Sequence, residues 1–144
     1  MVFEKIIGSL SGETAKEVVT LPFEWDEATK RIMKKTASSG EEIGVRLSEH
    51  MFDGAILFED DSRIIALSLV PCEVTRLYAG DLREMGRACF ELGNRHIPLT
   101  FGEGWVDTPY ERPTFEYLEK KGFRCEKVTT KFIPEVTVRG HSHD

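Results

Sequence analysis

The sequence predicts an α+β protein, with an all-β N-terminal domain over residues 1–72 and alternating strands and helices over residues 73–144. Three observations lead to this prediction. The first half alternates apolar and polar residues with the period of strands. The second half contains two segments of helical periodicity. Pro71 lies where the pattern changes, as expected at a domain boundary. The chain has 144 residues, of which 40% are hydrophobic, enough for one larger domain or two very small ones.

The predicted N-terminal domain consists of short strands joined by tight turns. Strands are expected at residues 31–36 and 42–47, with a turn around Gly40 between them. A second pair is expected at residues 55–58 and 63–70, with an acidic turn at residues 60–62. Residues 25–31 place acids before bases and are interpreted as a charged turn.

The first helix of the second domain is predicted from its ends and its apolar stripe. A strand over residues 74–78 precedes it. Asp81, with Glu84 three residues later, forms a capping-box-like start, and Gly93 is the expected end. The apolar residues of one helical face are Leu82, Met85, Cys89 and Leu92.

Two short strands, at residues 97–101 and 105–106, are expected next. The second helix begins either at Thr108 or a few residues later, because Pro113 would strain the first full turn of the longer helix. Gly122 is its expected end, and residues 124–133 form the last strand. The resulting β-α-β-β-α-β order is that of a ferredoxin-like domain, an antiparallel sheet with two helices on one face.

The composition excludes several classes of protein. With 25 acidic and 19 basic residues the formal net charge is −6, whereas nucleic-acid-binding proteins need a basic face, so we expect no nucleic-acid partner. The apolar run at residues 64–70 is far shorter than the roughly 20 residues of a membrane span, so no membrane partner is expected. Residues 1–12 show no secretory signal, and we expect a cytoplasmic protein.

The four histidines are the candidate metal ligands, because imidazole is a common ligand of nickel, zinc and copper. His96 follows the predicted end of the first helix, where it acts either as a ligand or as a cap for the helix dipole. His141 and His143 lie two residues apart near the C-terminus, where both rings either bind one ion or remain solvated. His50 is interpreted as a loop residue without a function.

The cysteines give no sign of a metal site or of a disulfide framework. Cys72, Cys89 and Cys125 are odd in number and far apart, without a C-x-x-C spacing. Cys89 and His96 would be the nucleophile and base of a cysteine-dependent hydrolase, but Cys89 lies on the apolar helical stripe and no third orienting residue is evident. Packing in the core is therefore the preferred interpretation of Cys89. The sequence also lacks a phosphate-binding glycine loop, an H-E-x-x-H motif and a G-x-S-x-G motif.

Residues 91–99, with the sequence ELGNRHIPL, resemble the signature segment of the UreE family of urease accessory proteins, which are nickel metallochaperones. The resemblance extends over essentially the whole chain, including residues 25–31 (WDEATKR) and 53–57 (DGAIL). It implies a peptide-binding-like N-terminal β domain, a ferredoxin-like metal-binding domain and a homodimer formed through the latter. It also implies that the protein is not an enzyme.

The resemblance implies that His96 of each chain is the central nickel ligand, with His141 and His143 as mobile auxiliary ligands. A two-fold interface brings His96 of both partners together, so one position supplies two imidazoles. The six residues from Arg139 onward span up to roughly 20 Å when extended. We expect about one ion per dimer, bound more weakly as the pH falls through about 6.5, where a free imidazole protonates. Residues 107–113 contain no histidine, so secondary sites are not expected.

The predicted function is therefore delivery of Ni²⁺ to apo-urease during urease maturation, together with the accessory GTPase of that pathway. Zn²⁺ or Cu²⁺ would bind the same imidazoles, and only the resemblance selects nickel. The alternative function is a protein-interaction scaffold of the urease assembly complex, to which metal binds adventitiously through the tail. Truncation before His141 distinguishes the two, because it would abolish metal binding only in the scaffold.

Overall fold

The computed structural model describes residues 1–136 and divides the chain into two compact units, Met1–Val70 and Pro71–Asp144. The first unit consists of strands and one short 3-10 helix, whereas strands and α-helices alternate in the second. The prediction of an α+β protein is thereby confirmed. Within residues 1–136, no helix is long and apolar enough to span a membrane.

The first unit contains two sheets, and both predicted hairpins are confirmed. Its strands are β1 (Val2–Phe3), β2 (Gly8–Ser9), β3 (Glu17–Phe23), β4 (Ile32–Thr36), β5 (Glu42–Arg46), β6 (Ala55–Glu59) and β7 (Arg63–Leu69). The sheet orders are β1-β5-β4 and β2-β6-β7-β3. Strands β4 and β5 pair antiparallel, as do β6 and β7. Gly40 has a φ of 91°, which the turn between β4 and β5 requires.

Strands β1, β2 and β3 were not expected from the sequence. The longest of them, β3, pairs parallel with β7 along its whole length. Its buried residues Val19, Leu21 and Phe23 alternate with less buried ones, which is a strand signal, but Pro22 weakens it. The proline is tolerated because β3 is an edge strand of its sheet. The predicted charged turn contains a 3-10 helix at Trp25–Glu27.

The second unit has the predicted β-α-β-β-α-β order. Its elements are β8 (Cys72–Tyr78), α1 (Leu82–Asn94), β9 (Thr100–Gly102), β10 (Trp105–Pro109), α2 (Arg112–Lys120) and β11 (Arg124–Thr130). The sheet order is β11-β8-β10-β9, and all three neighbouring pairs are antiparallel. Both helices bury apolar residues against this sheet, in a core that contains Leu77, Ala88, Leu92, Val106, Leu118 and Phe123.

Several predicted bounds in this unit were wrong. Strand β9 begins at Thr100 rather than at residue 97, and Pro98, which has no N–H to donate, precedes it. Helix α2 begins at Arg112, which confirms the later of its two predicted starts; Pro113 then lies in the first turn, where the backbone N–H has no partner within the helix. Strand β11 ends at Thr130 rather than at residue 133. The sequence pattern located these elements to within a few residues.

A charged pair crosses the sheet between β8 and β10. The Nε and Nη2 atoms of Arg76 each donate a hydrogen bond of 2.8 Å to one carboxylate oxygen of Asp107, which is only 2% exposed. The guanidinium carbon also lies 4.8 Å from the centre of the Trp105 ring. The hydrogen bond to Asp107 raises the pKa of Arg76 above its usual value. The bidentate geometry compensates for the burial of the carboxylate.

Replacement of Asp107 should destabilise the second unit. We expect Asp107→Ala to lower the free energy of unfolding by about 2–3 kcal/mol, because it leaves the partly buried guanidinium of Arg76 without its anion. The loss should be smaller than for a fully buried ion pair, because Arg76 keeps some contact with solvent. Urea unfolding measures the change. Glu116→Ala is the control, since it removes the exposed Arg112–Glu116 pair and should have little effect. Equal losses in both variants would contradict the prediction.

Candidate metal centre

His96 lies on the surface, two residues after helix α1. The helix begins as predicted: the Asp81 side chain accepts a hydrogen bond from the Glu84 N–H, and Glu84 Oε1 accepts one from the Gly80 N–H. The predicted end at Gly93 is wrong, because the helix continues to Asn94. The left-handed residue that terminates it is His96 instead.

Two backbone hydrogen bonds close the end of α1. The Ile97 N–H donates to the Leu92 carbonyl (3.1 Å), and the His96 N–H donates to the Gly93 carbonyl (3.0 Å). This is the Schellman pattern, in which the residue after the cap takes the left-handed conformation. Leu92 is fully buried and Ile97 packs against the same core. The position of His96 is therefore determined by the packing of its neighbours.

The backbone of His96 is strained. Its φ is 59°, and within residues 1–136 it is the only non-glycine residue with a positive φ. Glycine is the usual residue in this position, because a Cβ atom is unfavourable there, although histidine is tolerated more often than most residues. Strain of this kind persists where the surrounding structure over-determines it, and it clusters at functional sites. We infer that position 96 is occupied for its side chain rather than for its backbone preference.

Polar contacts join the end of α1 to α2. The Arg95 guanidinium lies 3.8 Å from the centre of the Tyr117 ring, and the Tyr117 hydroxyl donates a hydrogen bond of 2.7 Å to Glu91 Oε1. Lys121 lies over the same ring, at 5.5 Å. These contacts hold the chain on either side of the helix end, so that His96 extends from a well-supported element.

The last described residues return to a point near His96. Val136 forms an isolated antiparallel bridge with Leu99, in which the Leu99 N–H donates to the Val136 carbonyl (3.0 Å) and the Val136 N–H donates to the Leu99 carbonyl (3.1 Å). The Thr100 hydroxyl donates a hydrogen bond of 2.6 Å to Glu135 Oε1. We call these four residues, Leu99, Thr100, Glu135 and Val136, the clasp.

Within the described residues, one chain supplies only one of the predicted metal ligands, His96. Within residues 1–136, no three His, Cys, Asp or Glu side chains are grouped so that they could hold one metal ion. His50 is exposed between β5 and β6, as expected for a loop residue. The predicted ligands His141 and His143 lie outside the described residues. A complete site at His96 requires donors in addition to those described around it.

The cysteines have the character of core residues. Burial raises the pKa of the Cys89 thiol, and its Sγ lies 3.9 Å from Met85 Sδ. Burial, with a smaller contribution from Glu119, raises the pKa of Cys125 to about 11. A raised pKa leaves less thiolate at neutral pH, whereas a nucleophile needs more. The geometry therefore favours packing over a hydrolase site at Cys89.

Two features, one along α1 and one after it, were not expected from the sequence. The first is an exposed stripe on α1 formed by Leu82, Gly86, Phe90 and Gly93, whose spacing of four, four and three residues places them on one side. That spacing is visible in the sequence. The prediction that Leu82 shares the apolar face of Met85, Cys89 and Leu92 was therefore wrong, because Leu82 is 89% exposed. The second is the clasp, whose Thr100–Glu135 hydrogen bond joins residues 35 positions apart. No local sequence signal predicts a contact of that separation.

Glycine at position 96 should relieve the backbone strain. We expect His96→Gly to raise the free energy of unfolding of the metal-free protein by about 0.5–1 kcal/mol relative to wild type, because glycine adopts a positive φ readily. His96→Ala should not be stabilised, since alanine keeps the Cβ atom. Urea unfolding in the presence of a chelator measures the stability of both variants. The control is Asn94→Gly, a substitution within the helix that should be neutral or destabilising. A His96→Gly variant less stable than His96→Ala would contradict this account.

Two family models match the chain. The first, described as the N-terminal domain of the UreE urease accessory protein, matches residues 3–69. The second, described as the C-terminal domain of the same protein, matches residues 72–144. Together they cover almost the whole sequence, and the second includes His96 and the clasp.

Individual relatives give the same result. The chain is 33% identical over 150 residues to the urease accessory protein UreE of Flavobacterium johnsoniae, covering 99% of this chain and 91% of that protein. It is 34% identical to the UreE protein of Actinobacillus pleuropneumoniae, covering 97% of this chain and 81% of that one. For the UreE protein of Helicobacter bizzozeronii the identity is 33%, over 91% of this chain and 78% of that one. The chain therefore belongs to the UreE urease accessory protein family.

Proposed function

We propose that the protein carries Ni²⁺ and delivers it to apo-urease during urease maturation, without catalysing a reaction. Its family supports a role in urease maturation. The observation that carries the metal assignment is the strained backbone of His96, which holds an imidazole at the exposed end of a well-supported helix. Neutral imidazole binds nickel strongly, and the same donors accept Zn²⁺ and Cu²⁺. The choice of nickel rests on the family resemblance.

The proposed metal-binding domain comprises residues 73–144, and the N-terminal β domain comprises residues 1–72. The β-α-β-β-α-β order of the second unit and its β11-β8-β10-β9 sheet support a ferredoxin-like fold for the metal-binding domain. In this arrangement both helices pack on the sheet, and the loop after α1 extends to the edge strand β9. His96 lies in that loop.

A second chain would complete the site. One imidazole binds a divalent transition metal poorly, and the described residues around His96 add no cluster of donors. An isologous two-fold interface with its axis near His96 would bring two imidazoles to one ion. We therefore propose a homodimer that binds about one ion between its two chains.

The exposed stripe of α1 supports this homodimer. A Cβ atom added to Gly86 or Gly93 would contact nothing within 4 Å, so packing within the chain does not require glycine at either position. Each glycine nevertheless costs a helix about 0.5–1 kcal/mol relative to alanine. Phe90, between them, is 69% exposed. Close approach of a second α1 would account for both the glycines and the exposed ring.

The C-terminal tail would supply the remaining ligands. His141 and His143 follow Val136 by five and seven residues, which correspond to about 17 and 24 Å of fully extended chain. Leu99, the bridge partner of Val136, is only three residues from His96, at most about 11 Å along the chain. Both tail histidines can therefore reach the imidazole of His96. Ligands on such a tail can exchange one at a time when the ion passes to a partner.

The proposed partners are apo-urease and the accessory GTPase of the urease assembly complex. We propose the cytoplasm as the compartment. In the described residues none of the three cysteines is joined in a disulfide, which suits a reducing environment. No observation favours the alternative, an assembly scaffold with adventitious metal, but the experiment below separates it from a carrier.

Nickel binding should depend on His96. In equilibrium dialysis against Ni²⁺ at neutral pH, we expect the wild-type protein to bind about half an ion per chain tightly, because two chains share one site. His96→Ala should lose this binding, whereas His50→Ala, which alters an exposed loop histidine, should keep it. A chain that ends at Gly140 should bind more weakly but retain the His96 site. Tight binding by His96→Ala, or loss of all binding in the truncated chain, would support the scaffold instead.

Phe90 should be needed for dimer formation. We expect Phe90→Ser to weaken self-association about tenfold or more in sedimentation equilibrium without metal, because each chain loses a phenyl ring from the interface. Ile32→Ser is a matched control, since Ile32 is also 69% exposed but lies on β4 of the first unit. An unchanged association constant for Phe90→Ser would place the interface elsewhere.

A further inference from the structure

A permanent cation lies immediately before His96 in the chain. Arg95 and His96 are consecutive exposed residues that follow helix α1. An arginine side chain is long enough to bring its guanidinium beside the side chain of a neighbouring residue, and it remains charged at neutral pH. A guanidinium in that position would repel a divalent cation bound by His96, and it has no lone pair to offer as a ligand. The direction in which Arg95 extends therefore affects any metal site at His96.

The side chain of Arg95 extends toward helix α2. Its guanidinium carbon lies 3.8 Å from the centre of the Tyr117 ring, which is the distance of a stacked pair. The ring is itself held in place, because the Tyr117 hydroxyl donates a hydrogen bond of 2.7 Å to Glu91 Oε1 on α1. Tyr117 is also half-buried and packs against the core of the second unit. The guanidinium thus lies on a ring whose position is fixed by two helices.

We infer that Tyr117 is a positioning residue, which holds the guanidinium of Arg95 away from His96 and so keeps its charge away from the bound ion. This inference rests on the proposed function, in which His96 binds Ni²⁺. It assigns a role to a residue of α2 that is not one of the proposed ligands. Tyr117 acts through Arg95, by attracting the guanidinium to the face of its ring.

The other charges around Tyr117 fit the same arrangement. Lys121 Nζ lies 5.5 Å from the centre of the ring, and the Glu91 carboxylate accepts the hydrogen bond of the hydroxyl. Two cations and one anion therefore meet at the Tyr117 side chain, between α1 and α2. Among residues 1–136, the imidazole of His96 makes no hydrogen bond or ion pair, so its nitrogen atoms are available to a metal.

The proposed homodimer would double the effect of this cation. Two chains that share one ion bring two Arg95 residues to the same site, because each accompanies its own His96. Two guanidiniums beside a divalent cation repel it and each other, and the low dielectric constant of an interface strengthens this repulsion. The Tyr117 ring of each chain would keep the guanidinium of that chain away from the shared ion.

The experiment is a double-mutant cycle of Arg95 and Tyr117 in the full chain. Tyr117→Leu keeps an apolar side chain for the core but removes the aromatic face and the hydroxyl. Ni²⁺ affinity is measured by competition with a chromophoric chelator at about 10 mM ionic strength and about pH 8, where a free imidazole is neutral. We expect Tyr117→Leu to bind Ni²⁺ about threefold or more weakly than the wild type, because the released guanidinium reaches the ion.

Removal of Arg95 should restore the affinity. Arg95→Ala should bind Ni²⁺ at least as tightly as the wild type. The double variant Arg95→Ala, Tyr117→Leu should bind like Arg95→Ala, because Tyr117 then has no guanidinium to hold. The weakening in Tyr117→Leu should also shrink in about 0.5 M NaCl, since salt screens the charge of Arg95. Neither the rescue nor the salt effect would follow if Tyr117 only supported the fold.

Tyr78 provides a matched control in the same unit. Its hydroxyl donates a hydrogen bond to Glu126, and the guanidinium carbon of Arg124 lies 4.7 Å from the centre of its ring, so the same three groups occur there. Tyr78→Leu should leave nickel affinity unchanged, because Arg124 lies on β11, at the opposite edge of the sheet from β9. Urea unfolding of each metal-free variant shows whether it is folded.

The outcomes separate this inference from the proposed function. Wild-type affinity in Tyr117→Leu, or a loss that persists without Arg95 or in high salt, would overturn the inference and leave His96-dependent binding standing. Weaker binding by Arg95→Ala would also overturn it, because Arg95 would then assist the site; this variant alters an exposed residue and tests the inference even if Tyr117→Leu does not fold. Equal nickel binding by wild type and His96→Ala would overturn the proposed function itself, and the inference with it.

Discussion

The closure of helix α1 by Leu92 and Ile97 determines the geometry of the site. Both side chains pack in the core of the second unit, and the hydrogen bond between their backbones forces the intervening turn. The left-handed conformation of His96 is a direct result, since the turn leaves no other backbone arrangement. The direction of the chain toward Leu99, and hence the start of the clasp, depends on the same turn. A buried apolar contact thus controls an exposed polar residue.

The site combines parts of different stability. His96 extends from a helix end that Arg95, Tyr117 and Glu91 connect to α2, whereas the clasp is held by exposed hydrogen bonds. This combination would suit the proposed carrier, because a fixed ligand would select the position of the ion and replaceable ligands would allow its release. The formal net charge of −6 adds a general attraction for cations, which favours their capture without contributing to selectivity.

The sequence predicted the elements of the second unit, and the place of His96 after α1, better than it predicted the contacts around them. Periodicity and the Asp81–Glu84 cap located α1, and the position of His96 after the helix followed from that. The strained backbone of His96 could not be predicted in this way. The sequence favours Gly93 as the left-handed residue at the helix end, whereas the residue that adopts this conformation is set by where Ile97 packs. The clasp joins residues 35 positions apart, and β3 pairs with a strand far along the chain. Such contacts depend on tertiary packing, for which local patterns carry no information.

The parallel pairings of the first unit have a consequence for the newly made chain. Strand β3 pairs with β7, and β1 pairs with β5. The partner of Glu17 in β7 is Arg63, which is synthesised 46 residues later. At about 5–20 residues per second, synthesis separates the two halves of the β3–β7 pair by roughly 2–9 s. During that interval β7 does not yet pair with β3, so one edge of the strand that contains Val19, Leu21 and Phe23 is left open. Pro22, which cannot donate a hydrogen bond to a passing strand, reduces the tendency of this segment to pair with other chains.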